Sequence, residues 1–386
     1  MIAGVLVAVR SAAAERAARG PFVYVADSKR DEISQFKVES SGALRPLKPV
    51  KVPSGAFPYG IAVNPQGTSV YAQDVGATGH PANKVSQYTI DRSTGRLRPK
   101  SPATVPGGRG GQSIVVSPNG KSAYVDGHDK VWQYTIDPST GALRPMSPAT
   151  VASGGNGTAI AVTPNGNYLY VGLCGGCGVR KRSSSRANSI ASGSTSTMKS
   201  TIWEYRINRK TGALGSKPFG IVAIGSGPQW MAIAPNGRSA YLAAPGAGSG
   251  GSGAGAVWQY NIDPITGQLT PKSPATAAAG FGPHNIVIAP NGKNAYVTTV
   301  ADSKLAQYRI NQATGTLSRE AVSAATTVLN PEAMAIAADG KNVYVTSEGL
   351  SKLSQFTINP TTGKIKPMTP ATVKTASGAL GVAVTP

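Results

Sequence analysis

The stretch TPNGNYLYV, residues 163–171, is one of several near-copies of a single nine-residue pattern. The pattern places a polar turn ending in glycine four residues before a tyrosine, and Asn-Gly is the strongest short-range signal for a β-hairpin. It therefore predicts a hairpin that recurs along the chain. The other copies are NPQGTSVYA (64–72), SPNGKSAYV (117–125), APNGRSAYL (234–242), APNGKNAYV (289–297) and AADGKNVYV (337–345).

The tyrosine of this pattern recurs with a regular period. It stands at positions 24, 71, 124, 170, 241, 296 and 344, at spacings of 47, 53, 46, 71, 55 and 48 residues. Each tyrosine is followed by a second element of alternating character, as in VSQYTI from Val85, VWQYTI from Val131 and LSQFTI from Leu353. Alternation over six residues is typical of a β-strand. The chain thus holds seven copies of a larger unit.

Each unit contains four predicted strands, which we name A (IAV-like), B (YV-like), C (QY-like) and D (SPATV-like). A four-stranded antiparallel sheet repeated seven times predicts an all-β, seven-bladed β-propeller. The chain starts with B, C and D elements at Phe22 and ends with the lone A-like segment GALGVAVTP. The C-terminal strand is therefore expected to join the N-terminal blade and close the ring, which removes an open sheet edge.

The predicted domain organisation follows from this arrangement. Residues 21–386 form one propeller, with insertions at 172–200 and 244–256, and residues 1–20 form a leader or the remnant of a signal segment. The first twenty residues contain an apolar run from Ile2 to Val9 without a preceding basic region. We expect a secreted, cell-surface or periplasmic protein, with a cytoplasmic location as the alternative, and no transmembrane segment.

The composition fits a soluble repeat protein with many turns. The 386 residues include 47 Gly and 29 Pro but only 14% charged residues, and the net charge is +21 because acids are scarce. No long basic helix accompanies this charge, so nucleic-acid binding is not favoured. The two cysteines, Cys174 and Cys177, form a single CxxC, for which a local disulfide and two free thiols both remain open.

Antiparallel geometry sorts the connections onto two faces of the disc. We call the side with the A–B and C–D turns the turn face, and the side with the B–C and D–A connections the loop face. The turns are short and rich in Lys and Arg, whereas the irregular loops and all three histidines fall on the loop face. Variation on one face of a repeat protein indicates the binding face.

Aligning the copies from their glycine turns places one residue per blade at the loop-face end of the central channel. These residues are Tyr59, Gln112, Thr158, Gln229, His284, Glu332 and Leu380, and the next position adds Ser113, Trp230 and Asn285. Polar and aromatic groups around one opening are typical of a small-ligand site. A water-filled channel without a ligand is the alternative.

His284 and Glu332 belong to adjacent blades and are candidates for general acid–base catalysis. Glu332 would either polarise the imidazole or take a proton itself. Tyr59, Gln112, Thr158, Gln229, Trp230 and Asn285 are the candidate ligand-binding residues. No metal site is predicted, since no compact group of His and carboxylates shows ligand spacing, and no cofactor is expected.

The repeated units, A-[IV]-x-P-[ND]-G-x-x-x-Y-V followed by V-x-Q-[YF]-x-I, resemble the lactonase-type seven-bladed β-propeller family. That family includes 6-phosphogluconolactonase-like proteins and overlaps the YVTN-repeat surface propellers, and the resemblance runs from Phe22 to Pro386. In its enzymes His, Glu and Arg side chains at the channel ends of inner strands serve the lactone, which implies this role for His284 and Glu332. The Arg of that set has no counterpart in GPQW (227–230) or SGAL (377–380).

Three functional interpretations remain. The leading one is a binding scaffold that holds a ligand or protein through the loop face. The alternative is a lactone hydrolase, a carboxylic ester hydrolase with its site at the channel mouth, acting on a small lactone or sugar-like ligand. The third is a surface protein whose basic face holds an anionic polymer. In each case we expect a monomer.

Overall fold

The structure is a computed structural model that describes residues 20–76, 83–175, 199–225, 227–246, 253–320, 325–327 and 329–386. Every regular element in these residues is a β-strand. No α-helix in the described ranges is suited to crossing a lipid bilayer. His80, Cys177 and most of the insertion predicted at 172–200 lie outside the described residues.

The first two blades are separate four-stranded sheets. Blade 1 has the strand order β28-β1-β2-β3, and blade 2 has the order β4-β5-β6-β7. Their strands are β1 (Phe22–Asp27), β2 (Glu32–Val38), β3 (Leu44–Pro53), β28 (Ala379–Val384), β4 (Pro58–Val63), β5 (Ser69–Asp74), β6 (Lys84–Ile90) and β7 (Leu97–Pro106).

Blades 3 and 4 share one strand and therefore form a single seven-stranded sheet. The shared strand is β11 (Leu143–Val162), whose first part pairs with β10 and whose last part pairs with β12. The other strands are β8 (Ile114–Val116), β9 (Ser122–Val125), β10 (His128–Ile136), β12 (Tyr168–Cys174), β13 (Ser200–Arg206) and β14 (Gly220–Ile224).

Blades 5, 6 and 7 complete the ring. Their strands are β15 (Trp230–Ile233), β16 (Ser239–Gly246), β17 (Gly253–Ile262), β18 (Leu269–Phe281), β19 (Pro283–Ile288), β20 (Asn294–Thr299), β21 (Lys304–Ile310), β22 (Leu317–Arg319), β23 (Ala325–Thr326), β24 (Pro331–Ile336), β25 (Asn342–Ser347), β26 (Lys352–Ile358) and β27 (Ile365–Lys374). The outer strand of blade 6 is thus split into two short pieces, β22 and β23.

The C-terminal strand closes the ring as expected. Val23, Tyr24 and Val25 of β1 pair with Val384, Ala383 and Val382 of β28. The seven A strands then contact one another in the cyclic order β28, β4, β8, β11, β15, β19, β24 and back to β28. The fold is the predicted seven-bladed propeller, in which every blade buries its faces against its neighbours.

The recurring tyrosine joins each blade to the next. In every blade its hydroxyl donates a hydrogen bond to the main-chain oxygen of the C–D turn glycine of the following blade, at 2.5–2.7 Å. The pairs are Tyr24–Gly95, Tyr71–Gly141, Tyr124–Gly212, Tyr170–Gly267, Tyr241–Gly315, Tyr296–Gly363 and Tyr344–Gly42. The last pair bridges the two ends of the ring, so the repeat motif is a set of inter-blade clasps.

The polar residue of strand C makes a second link of the same kind. In six blades its side-chain oxygen accepts the main-chain N–H of the leucine that follows the C–D turn of the following blade. The pairs are Gln35–Leu97, Gln87–Leu143, Gln133–Leu214, Glu204–Leu269, Gln259–Leu317 and Gln355–Leu44. Both repeated side chains therefore serve architecture.

Three differences from a uniform repeat of exposed turns and insertions appear only in the structure. In the A–B turns the positive φ is confined to the glycine, as at Gly120 (φ 70°), while the Asn119 side chain accepts the N–H of Lys121. Lys100 is buried and donates to Thr89 and to the main-chain oxygen of Thr140. Burial lowers the pKa of its ammonium group.

The third difference concerns the glycine-rich insertion predicted at 244–256. Strands β16 and β17 continue into it, with Ala244 paired to Ala256 and Gly246 to Gly253. Small side chains allow the hairpin to extend, so the described part of this segment belongs to the sheet of blade 5.

Removing one tyrosine hydroxyl tests how much an inter-blade clasp contributes to folding stability. Tyr296→Phe leaves the buried main-chain oxygen of Gly363 without its donor, so we expect the free energy of unfolding to fall by about 1–3 kcal/mol. The matched control is Tyr260→Phe, since the buried Tyr260 hydroxyl has no hydrogen-bond partner in the described part of the chain. Chemical denaturation measures both. Equal effects of the two substitutions would contradict the clasp.

Candidate functional site

The starts of the inner strands gather at the loop-face end of the channel. His284 and Glu332 are the second residues of β19 and β24, two A strands in contact. Each strand begins with proline, preceded by a residue in the left-handed region, Gly282 (φ 63°) or Asn330 (φ 52°). This turn carries the chain directly from the outer strand of one blade into the inner strand of the next, which fixes both side chains at the channel mouth.

The structure brings the His284 and Glu332 side chains together. His284 Nε2 lies 3.4 Å from Glu332 Oε2, and the two side chains are only 8% and 6% exposed. His284 Nδ1 also lies 3.3 Å from the main-chain oxygen of Glu332. The imidazole therefore faces the carboxylate with one nitrogen and the backbone of the same residue with the other.

Two threonines that the sequence reasoning missed hold the starts of these strands. The Thr298 hydroxyl accepts the N–H of Asn285 at 2.9 Å and donates to the main-chain oxygen of Glu332 at 3.2 Å. Thr346 repeats the arrangement, accepting from Ala333 and donating to the oxygen of Leu380. Both stand two residues after the repeated tyrosine, and this position could have identified them.

Asp126 occupies the same position in blade 3, and its side chain also accepts hydrogen bonds from main-chain N–H groups. Its Oδ1 accepts the N–H groups of Gln112 and Ser113, at 2.8 and 2.9 Å, and so shapes the start of that blade's inner strand. Burial raises the pKa of Asp126 to about 7, against the lowering effect of these two hydrogen bonds. Asp126 was not among the predicted site residues, since these were taken from the residues that start the inner strands.

Two of the predicted ligand-binding residues carry polar atoms that are buried without a hydrogen-bond partner in the described part of the chain. They are both side-chain amide atoms of Asn285 and the amide oxygen of Gln229, to which Ser113 adds its hydroxyl. Leaving such a group unpaired costs about 1–3 kcal/mol, so native structures seldom keep one without a reason. Asn285 follows His284 on the inner strand β19, and Gln229 directly precedes β15, the inner strand of blade 5 that contacts β19.

The remaining predicted residues differ in burial and in their hydrogen bonds within the protein. The Thr158 hydroxyl is used internally, since it donates to the main-chain oxygen of Pro228 at 2.6 Å and links blades 4 and 5. Tyr59 is buried, whereas Gln112 and Trp230 are partly exposed. Among these positions, the buried polar atoms without a partner in the described part of the chain belong to blades 3, 5 and 6.

The structure also bears on the predictions about metal ions and cysteines. Within the described ranges, no group of three or more His, Cys, Asp or Glu side chains is arranged to hold a metal ion. Cys174, the last residue of β12, is disulfide-bonded. Cys177, the other cysteine of this CxxC, lies outside the described residues.

Solved structures with the same architecture include bacterial lactonases. A candidate 6-phosphogluconolactonase from Bacteroides uniformis aligns with a TM-score of 0.72 and 18% identity, over 95% of this chain and 99% of that one. The periplasmic gluconolactonase of Pseudomonas aeruginosa aligns with a TM-score of 0.67 and 16% identity, over 95% and 99% of the two chains. At such identities the likeness concerns the fold alone. No curated protein sequence matches the chain.

A family model matches the sequence itself. The family described as "Lactonase, 7-bladed beta-propeller" matches residues 4–101, 61–192 and 248–377. These matches include His284 and Glu332 and most of the blades described above. The chain therefore belongs to the seven-bladed β-propeller lactonase family.

Proposed function

We propose that the protein hydrolyses a lactone at the loop-face end of its channel, with His284 and Glu332 as the acid–base pair. The observation that carries the proposal is the buried pair itself, with Nε2 and Oε2 3.4 Å apart at the starts of adjacent inner strands. Membership of the lactonase family and the gluconolactonase neighbours favour this alternative over the leading interpretation of a binding scaffold.

The geometry suggests how the protons would move. A water molecule attacks the lactone carbonyl carbon while the Glu332 carboxylate takes its proton. The bond from that carbon to the ring oxygen then breaks, and protonated His284 gives the Nε2 proton to the departing oxygen. The proton on Glu332 passes to His284 Nε2, which restores the pair and leaves an open hydroxy acid. General acid–base catalysis of this kind contributes about 10²–10⁴-fold in rate.

The buried amide of Asn285 is the candidate for stabilising the negative charge on the carbonyl oxygen. Its Nδ2 group has no partner in the described residues, and it follows His284 directly in the sequence. A fixed donor in a buried site stabilises an oxyanion more than the neutral carbonyl that precedes it. This role requires no cation, in keeping with the absence of Lys and Arg among the seven residues that start the inner strands.

The first experiment measures acid release by the wild-type protein on a panel of sugar and aliphatic lactones. Hydrolysis that saturates with substrate supports the proposal. A protein that turns over no lactone in the panel contradicts it, and would then be studied as a scaffold by measuring ligand and protein binding at the loop face.

Asn285→Ala separates catalysis from stability. We expect the kcat for lactone hydrolysis to fall by about 10²–10³-fold, as for other oxyanion donors. The melting temperature should stay the same or rise, because the substitution removes a buried amide that has no partner. A loss of stability with unchanged kcat would instead make Asn285 a structural residue.

We also propose that the protein acts outside the cytoplasm, from the apolar run Ile2–Val9 and from the periplasmic location named for the Pseudomonas neighbour. Fractionation of cells that express the full chain tests this proposal, and recovery only from the cytoplasm would overturn it.

A further inference from the structure

The most exposed large apolar side chain of the described chain lies on the turn face. Ile265 is 82% exposed at the tip of the C–D turn of blade 5. The equivalent residues of blades 2 and 3 are Ser93 and Ser139. A single exposed aliphatic residue is ordinary by itself, and the charges around Ile265 are what distinguish it.

Two arginines of blade 4 lie beside the turn that carries Ile265. The Tyr168 hydroxyl donates to the main-chain oxygen of Ile265. Cζ of Arg206 lies 5.7 Å from the centre of the Tyr168 ring, and Nε of Arg209 donates to the side-chain oxygen of Asn167 at 2.7 Å. Both guanidinium groups therefore contact the two-residue segment that also contacts the Ile265 turn.

The A–B turn of blade 5 adds a third arginine. The main-chain oxygen of Arg238 accepts the N–H of Ile262, three residues before Ile265, at 3.0 Å. Arg206, Arg209 and Arg238 are exposed, and none of them forms an ion pair with a carboxylate in the described part of the chain. We call Ile265 and these three arginines the basic patch.

One carboxylate belongs to the same turn. Oδ1 of Asp263 accepts the N–H groups of Thr266 and Ile265, at 2.7 and 2.9 Å, and these hydrogen bonds hold the pKa of Asp263 below its usual range. Its negative charge offsets one of the three arginines. The basic patch therefore keeps an excess of positive charge.

Further cations extend the positive charge around the turn face. Four blades place a cation directly after the glycine of the A–B turn, at Lys121, Arg238, Lys293 and Lys341. The six A–B turns contain one carboxylate, Asp339. Neighbouring turns pack side by side, since a Cβ placed at Gly292 would lie 3.8 Å from Cδ of Pro235. These cations therefore stand on one ring of packed turns.

The N-terminal segment joins the propeller on the same face. The main-chain oxygen of Pro21 accepts the N–H of Val38, the last residue of β2, at 2.9 Å, beside the C–D turn of blade 1. The apolar run Ile2–Val9 precedes this point in the sequence. An apolar segment and a basic face thus belong to one side of the disc, and membrane binding usually needs two such signals.

We propose that the turn face docks on an anionic lipid bilayer, with the arginines of the basic patch at the lipid phosphates and Ile265 at the boundary of the acyl chains. An aliphatic side chain is stabilised by leaving water, and anionic lipids attract nearby Lys and Arg. A bilayer supplies both environments at one surface. The loop face, with His284 and Glu332, then points away from the lipid and stays open.

A nucleic acid fits this surface less well. Single strands are held by aromatic side chains on which the bases stack. Phe281 is the one exposed aromatic residue of the described chain, and it lies on the loop face. A nucleic acid would also leave Ile265 in water.

The test measures flotation of the full chain with phosphatidylcholine vesicles that contain about 30% phosphatidylglycerol, beside vesicles of phosphatidylcholine alone. Binding to the anionic vesicles should be at least about tenfold stronger, and it should fall steeply between about 0.05 and 0.5 M salt, because salt screens exposed charges. Equal binding to the two compositions would overturn the inference.

A pair of substitutions tests the charge of the patch. Arg209→Gln combined with Arg238→Gln should weaken binding to the anionic vesicles about 30-fold, since each cation near such a surface contributes about fivefold. The matched control, Lys130→Gln combined with Lys352→Gln, removes the same charge from exposed residues of the loop face. It should change binding by less than about threefold.

A second substitution tests the apolar contact. Ile265→Ser should weaken binding to the anionic vesicles about tenfold, because the aliphatic side chain no longer leaves water. Leu350→Ser is the matched control, since Leu350 is 45% exposed on the loop face, and it should bind as the wild type does. Melting temperatures should be the same in all variants, because every replaced side chain is exposed.

Two further outcomes would overturn the inference. One is unchanged vesicle binding by the arginine pair of variants. The other is a protein that binds heparin or DNA in solution but floats with neither type of vesicle, which would assign the turn face to an anionic polymer. Lactone hydrolysis does not enter these measurements, so the result is independent of the proposed function.

Discussion

Replacing Glu332 by glutamine is expected to lower kcat/KM for lactone hydrolysis by about 10²–10⁴-fold, the range of a lost acid–base group. Glutamine keeps the size of the side chain beside His284 but cannot take a proton from water. His284→Ala should cause a loss of similar size, because it removes the group that would protonate the leaving oxygen. Initial rates are measured by acid release over a range of lactone concentrations from below to above KM, which gives both kcat and kcat/KM.

The reductions in rate caused by Glu332→Gln and His284→Ala should not be additive. If the side chains act as one unit across their 3.4 Å separation, the double variant is expected to be little slower than either single variant. His128→Ala is the control, since His128 is an exposed loop-face histidine paired with Asp129. Single variants that keep the full rate would show that His284 and Glu332 merely line the channel.

Folding stability should decrease as the pH rises from about 4 to about 7, because three buried aspartates resist ionisation. Burial raises the pKa of Asp27, Asp74 and Asp126 to about 7, against 3.8 as the ordinary value. Below pH 4 each carboxyl is protonated in both states and contributes nothing. Between the two values the native state holds protons that the unfolded state has lost, so the free energy of unfolding falls by about 1.4 kcal/mol per pH unit for each group.

Asp74→Asn isolates one of these groups. Oδ2 of Asp74 accepts the Ser86 hydroxyl at 2.7 Å, and its Oδ1 has no partner in the described residues. Asparagine keeps an oxygen that accepts the Ser86 hydroxyl, and it cannot ionise. The decrease in the free energy of unfolding per pH unit should therefore be smaller by the contribution of one aspartate. Asp91→Asn is the control, because hydrogen bonds from Ser93 lower the pKa of Asp91 to about 2, outside this window. Denaturant titrations at pH 4.5, 6 and 8 measure the free energy of unfolding. An equal dependence of this free energy on pH in wild type and Asp74→Asn would contradict the prediction.

The sequence predicted the fold from local signals. The turn before the repeated tyrosine recurs in six blades and the alternation of strand C in all seven, so an irregular copy did not alter the predicted number of blades. Closure by the C-terminal strand followed from counting elements, because a chain that starts with strand B and ends with strand A can complete its first blade. The pairing of β1 with β28 confirms this.

The candidate site was less predictable. Alignment from the turns gave the residues that start the inner strands, including His284 and Glu332. It did not show that the Thr158 hydroxyl is used internally, or that Asp126 holds the N–H groups of Gln112 and Ser113. These contacts join different strands and blades, so they depend on register and on the rotation between neighbouring sheets.

The sequence by itself therefore determined the architecture of this protein: seven blades, their four strands, the closure of the ring and the face that carries the irregular loops. It could do so because turn geometry and strand alternation act over a few residues and are repeated. Only the tertiary structure decided that Nε2 of His284 and Oε2 of Glu332 lie 3.4 Å apart, and that both side chains are almost fully buried. Those relations are set by the packing of one blade against the next, which no single repeat encodes.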